Sequence, residues 1–192
     1  MDRHRRSRPR GARRPEDRDG RQDADHRLET DADDLGRLAG SLGGPATILG
    51  ATVALHTLVR HPAIVRTLVP FEPPAVRLLP RDGVAMARAA ERNAGDHLRA
   101  NAVHWFEHEL RQDPAAGLDL EALRAHADRI VPAAGHESRG YPCRDATAEL
   151  ARRLGRPVVD LPGGHVGCMS HPTDCSTEIT RVLSAHYPTR NA

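Results

Sequence analysis

The sequence predicts an α/β fold, a mostly parallel sheet flanked by helices, and three observations carry that expectation. Short apolar runs of strand length alternate with stretches of helical period: "ATILG", then "ATVALHTLVRH", then "AIVRTLVPFEPPA". Strands separated by helices of this length need crossover connections and therefore pair in parallel. Aromatic residues are only 3% of the chain against 39% hydrophobic residues, so the core must come from Ala, Val, Leu and Ile, which suits stacked helices and strands better than a ring-rich sandwich. Finally, 192 residues suffice for one core plus a tail, not for two full domains.

Residues 1–33 mix Arg with Asp and Glu and have almost no apolar content, so they read as a disordered tail that cannot offset its chain entropy by burial. The first 14 residues hold seven Arg against one Asp, a charge run that phosphate groups could contact. No aromatic residue interleaves those Arg and the chain contains no Lys at all, so the bias belongs to the whole sequence and the tail reads as solvated rather than as a nucleic-acid contact. The folded domain is expected over residues 34–192. "DDLGRLAGSLGG" places Leu35, Leu38 and Leu42 on one helical face and stops at Gly43-Gly44. "ATILG" is a buried strand, and the helix after it turns Val53, Ala54, Leu58 and Leu55 inward; the next strand ends at the Pro73-Pro74 pair. Residues 83–126 are amphipathic and helical, a short cap carrying the single Trp, Trp105. "RIVPAAG" is a third strand, "CRDATAELARRLG" a helix closed by Gly155, "RPVVDLPGGH" a fourth strand entering a Gly-rich loop, and "PTDCSTEITRVLSAH" a last helix begun by Pro172.

The longest mainly apolar run, Pro45 to Val59, falls short of the roughly 20 residues a membrane span needs. The charged N-terminus lacks the apolar stretch of a secretory signal. With three Cys in no regular framework, the expected setting is the reducing cytoplasm.

The order "GPATILG", "ALHTLVRHPAIVRTLVPFEPPA", "VPAAGHES", "LGRPVVDLPGGHVGCMSHP" resembles the C-terminal half of an α/β-hydrolase-fold protein over about residues 33–192. The resemblance implies acyl or ester hydrolysis of a small-molecule substrate by a serine, a histidine and a carboxylate. In that family the first strand feeds a G-x-S-x-G turn that lifts a serine above the sheet. Here the helix follows Gly50 directly, and no Ser stands between Ser41 and Ser138. About four residues have been lost by this alignment, which turns the downstream apolar stripe by only about 40° and leaves the fold signal readable. Strands upstream, which normally supply part of the oxyanion hole, have no counterpart either.

Thr52, in "GATVA", could stand where serine usually does, but a β-branched residue suits that strained turn poorly and Thr52 reads more naturally as the helix N-cap. His165 in "PGGHVG" matches the family's general base. The acid should follow "RIVPAAG", and Glu137 is the best-placed carboxylate there; Asp145 and Asp160 read as helix-start and strand-end residues. The spacing of His165, Cys168, His171 and Cys175 would suit tetrahedral zinc, yet the resemblance already accounts for both His, and Pro172 opens a helix between the ligands. His104 and His108 flank Glu107 on a helix and read as a solvated face. No metal or cofactor is assigned. The expectation is an esterase-like protein with an incomplete triad; the rival is a non-catalytic binding protein that uses the cap pocket. Without its missing partner strand, the edge of "ATILG" is also a site for homodimer pairing.

Overall fold

The computed structural model describes residues 27–79 and 117–186. The Arg-rich run, Trp105 with most of the expected cap, and the His104–His108 pair lie outside these residues. Helix α1 (Arg27–Gly40) leads to strand β1 (Ala46–Gly50), helix α2 (Thr52–Arg60) and strand β2 (Val65–Pro70). Helix α3 (Leu120–Arg124), strand β3 (Ala133–Gly135), helix α4 (Pro142–Leu154), strand β4 (Val159–Leu161), and helices α5 (Gly167–Ser170) and α6 (Pro172–His186) complete the described order. The start of α6 at Pro172 and the close of α4 at left-handed Gly155 (φ 66°) fall where the proline and the glycine predict them.

Strands β1 and β2 pair in parallel, with Ile48 opposite Leu68 and Gly50 opposite Pro70, and β3 pairs with β4 in parallel through Ala133 opposite Val159. The two pairs are one surface. Parallel bridges join Leu68 to Ile130 and Phe71 to Ala133, and the Val131 amide donates to the Leu68 carbonyl at 2.8 Å. The order is therefore β1-β2-β3-β4, with all four C-terminal ends on the same side.

Successive strand residues point to opposite faces, and each face has its own cluster. Ile48, Leu68 and Ile130 pack with Leu55 and Leu58 of α2, Leu123 of α3 and Leu150 and Leu154 of α4. On the other face Val69, Val131 and Leu161 meet Cys175, Ile179, Val182 and Leu183 of α6. Helices on both faces of a parallel sheet are the expected architecture.

The first helix departs from expectation. It begins at Arg27, inside the segment read as tail, and its inward stripe is Leu28, Ala32 and Ala39 with Leu35 half-buried, whereas Leu38 and Leu42 are 63% and 70% exposed. Close packing on α2 selects small residues over leucines: the Ala32 carbonyl accepts the Thr57 hydroxyl at 3.2 Å. Asp33 ties the same helix to the end of α2, accepting both Arg60 (2.8 and 2.7 Å) and His61 Nε2 (2.6 Å). In α2 the buried set is Thr52, Ala54, Leu55, Thr57 and Leu58, so Thr57 takes the inward place expected of Val53. No helix among the described residues is long and apolar enough to cross a membrane.

Candidate active site

The site is assembled at the C-terminal ends of β2, β3 and β4. Beyond Pro70, the Phe71 amide donates to the Gly50 carbonyl (2.8 Å) and the Glu72 amide to the Ala133 carbonyl (3.2 Å), so the backbone stays in the sheet until Pro73. Glu72 is the one non-glycine residue at positive φ (42°) among those described. That conformation costs on the order of 1 kcal/mol, and it turns the side chain into the protein: Glu72 is 1% exposed.

A buried carboxylate needs partners, and each Glu72 oxygen has one. Oε1 accepts the Gly135 amide (2.8 Å) and Oε2 lies 2.7 Å from His165 Nδ1, with the buried Ser138 close enough to influence the carboxyl. Burial pushes the Glu72 carboxyl up, but His165, Ser138 and Gly135 together outweigh it and hold the group below its ordinary value. The Glu72 bond in turn raises the His165 imidazole above its ordinary value, against desolvation, which lowers it. An ionised carboxylate only accepts, so Nδ1 carries the proton that faces Glu72 and Nε2 is left for an incoming group.

The loop that presents His165 depends on two glycines. Gly163 sits at φ 75°, and a side chain there would lie 2.8 Å from Gly167 Cα and from the His171 ring. Gly135 lies so close to this loop that a Cβ would come within 2.6 Å of the Gly164 carbonyl oxygen. The Glu137 amide pins the same loop by donating to Gly163 O at 3.0 Å. Phe71 stacks on the imidazole, its ring centre 6.4 Å away at 19°.

Glu137 is therefore not the carboxylate on His165. It lies exposed in the turn His136–Ser138 and contributes its backbone, while its neighbour Ser138 turns inward to Glu72. Thr52 is also placed differently from expectation. Ala51 occupies the cap position of α2 and offers no side-chain bond, while Thr52 is the first helical residue, 1% exposed, with an Oγ1 that finds no hydrogen-bond partner. The zinc arrangement does not form: His165 is engaged with Glu72, and among the described residues no group of three or more His, Cys, Asp or Glu side chains could hold a metal. Asp145 in the first turn of α4 and Asp160 in β4, paired with Arg144 at 2.6 Å, keep the structural places predicted for them.

No family model matches the chain. The hydrolase YraK of Bacillus subtilis (strain 168), itself uncharacterized, is 26% identical over 193 residues, spanning 82% of this chain and 71% of the relative. Two solved structures from Mycobacterium tuberculosis share the architecture. Rv0554 superposes with a TM-score of 0.58 at 15% identity, covering 82% of this chain and 72% of its own. BpoC of strain H37Rv, named as a non-heme bromoperoxidase, gives 0.54 at 18% identity, with 83% and 74% covered. The chain has the α/β-hydrolase fold.

In this fold His165 lies in the loop after β4, and the carboxylate that it meets comes from the end of β2. The sequence reading missed Glu72 because "VPFEPP" looks like a strand closed by prolines. The available signal was chemical: a lone carboxylate in an otherwise apolar strand end is buried only when something binds it. Between β1 and α2 the passage is the single residue Ala51, and a Cβ on Gly50 would lie 2.9 Å from that of Ala54, so strand and helix meet tightly where the fold usually lifts its nucleophile.

Proposed function

We propose that this protein is an esterase-like α/β-hydrolase that keeps the acid–base half of a hydrolytic triad, Glu72 and His165, and lacks the serine, so that its turnover of small ester-like substrates is weak or absent. One observation carries the reading. His165 Nδ1 is 2.7 Å from Glu72 Oε2, while no Ser lies between Ser41 and Ser138 to receive the other side of the ring. The chemistry left to such a pair is general-base activation of water by Nε2, worth on the order of 10² to 10⁴ in rate, without a covalent acyl intermediate.

Hydrolysis of p-nitrophenyl acetate and butyrate by the purified chain tests this. At most slow turnover is expected, lost in His165→Ala and unchanged in Thr52→Ala. Loss in Thr52→Ala would make Thr52 a nucleophile and overturn the reading. The sealed, unpartnered Thr52 hydroxyl favours a second reading, a non-catalytic binding protein whose ligand sits under the cap; it predicts saturable ester binding with no turnover above that of His165→Ala. The exposed face of Leu49 on β1, 48% accessible at the edge of the described sheet, supports pairing with a second copy, which concentration-dependent sedimentation would reveal. Free Cys143, Cys168 and Cys175 favour a cytoplasmic, reducing setting.

A further inference from the structure

The third residue of α4 carries its charge where a helix least favours it. Pro142 opens the helix, so Arg144 stands in the first turn, against the positive end of the helix dipole. Its side chain is nonetheless drawn inward, 16% exposed, and its guanidinium makes two short bonds. Nη1 donates to the Gly135 carbonyl at 2.6 Å, and Nη2 donates to Asp160 Oδ1 at 2.6 Å. Neither bond goes to Glu72 or to His165.

Both acceptors lie where the Glu72–His165 pair is held. Gly135 ends β3; its amide donates to Glu72 Oε1 at 2.8 Å while its carbonyl accepts Arg144, so this residue is fastened on both sides. Asp160 lies opposite Ala134 on β4, the strand that runs into the histidine loop. The two strands pair only from Ala133 to Gly135, and the loop then passes so close to Gly135 that a Cβ there would meet the Gly164 carbonyl oxygen at 2.6 Å. A planar fork with two donors fixes both the spacing and the angle of its acceptors, which a flexible ammonium does not. Arg139 is no substitute, since it reaches Asp160 Oδ2 only at 3.7 Å and is 67% exposed.

We propose that Arg144 is a positioning residue: by clamping the Gly135 carbonyl to Asp160 it sets the end of β3 against the start of the histidine loop, and so keeps Glu72 Oε2 within bonding distance of His165 Nδ1. This role rests on the reading of Glu72 and His165 as the acid–base half of the site, and it brings α4 into that site through a residue that touches neither the ring nor its carboxylate. Charge and position pull the imidazole in opposite directions, which separates them. Removing a nearby cation would raise the His165 value, whereas loosening the Glu72 bond that holds it above the ordinary one would lower it.

The test is an NMR titration of His165 in the full chain, with urea unfolding of the same samples. Arg144→Met keeps an apolar stem without donors; it should lower the His165 value toward 6.5, by less than Glu72→Gln does, and speed exchange of the Nδ1 proton several-fold. Arg144→Lys keeps the charge and loses the fork, so it should move the ring in the same direction, and it carries the test if Arg144→Met does not fold. Leu154→Ala, a buried position at the far end of α4, should weaken folding and leave the ring value where it is. A His165 value unchanged or raised in the folded arginine variant, beside a lowered one in Glu72→Gln, would overturn the clamp and leave the pair standing. An equal fall in Leu154→Ala would also overturn it, by making the effect one of general stability. If Glu72→Gln itself left the ring unmoved, the acid–base reading would fall and the clamp with it.

Discussion

Two strand ends lie side by side in this sheet and are finished in opposite ways. At the end of β2, every polar atom of the buried Glu72 carboxylate is bonded and the histidine loop is held from several directions. At the end of β1, the chain enters α2 through an uncapped Ala51 and buries the Thr52 hydroxyl with nothing to bind. The first end is over-determined, as a group that must hold a proton in one place requires. The second is only packed, which teaches that two neighbouring strand ends of one sheet can differ sharply in how fully their buried polar groups are bonded.

The largest effect should come from crowding the over-determined end. Gly135→Ala places a methyl against the Gly163 and Gly164 carbonyls, and a loss of about 1 to 3 kcal/mol in urea unfolding is expected, together with displacement of the His165 resonances. Glu72→Gln comes next. It keeps an acceptor for Gly135 but removes the charge, so a loss of about 1 to 2 kcal/mol is expected, and NMR titration should return the His165 imidazole toward its ordinary value. If that imidazole did not move, Glu72 would not be its partner in solution.

The pH dependence sharpens the same comparison. Because the folded His165 value is raised above 6.5, its stabilisation is complete below that pH and is lost as pH rises through the folded value. Because the folded Glu72 value is lowered below 4.5, its stabilisation is present above that pH and is lost as pH falls through the folded value. The pair should therefore contribute most between about pH 4.5 and 6.5, by a modest amount since the ring is half-exposed. A urea midpoint measured against pH should show this plateau, and in His165→Gln the decline above it should flatten.

The smallest effect is of opposite sign. Thr52→Val removes an unbonded buried hydroxyl and should stabilise by up to about 1 kcal/mol, whereas Thr57→Val on the same helix removes bonds to Ala32 and Val53 and should destabilise by about that amount. Equal effects at the two positions would erase the contrast between a bonded and an unbonded hydroxyl.

Most of the frame was legible because it rests on local signals. Short apolar runs and period-3.6 patterning marked the β1, α2, β2 succession, and Pro172 and Gly155 marked helix ends. His165 was legible through its glycines. The α1 face was not, because leucines attract attention while the fit against α2 uses Ala32 and Ala39. The acid was misplaced because Glu137 stands in the segment where a carboxylate is expected, whereas the carboxylate that meets His165 is Glu72, brought there from the distant end of β2 by tertiary packing alone.

The interior position of β2 has a kinetic consequence. Its backbone is bonded to β1 on one side and to the β3 segment on the other, so its amides should exchange with deuterium among the slowest in the chain, while β1, paired only with β2 among the described residues, opens earlier. Glu72 hangs from the end of that slow strand. Partial openings that expose the β1 edge would then leave the carboxylate and its histidine joined, and their separation would report something close to global unfolding.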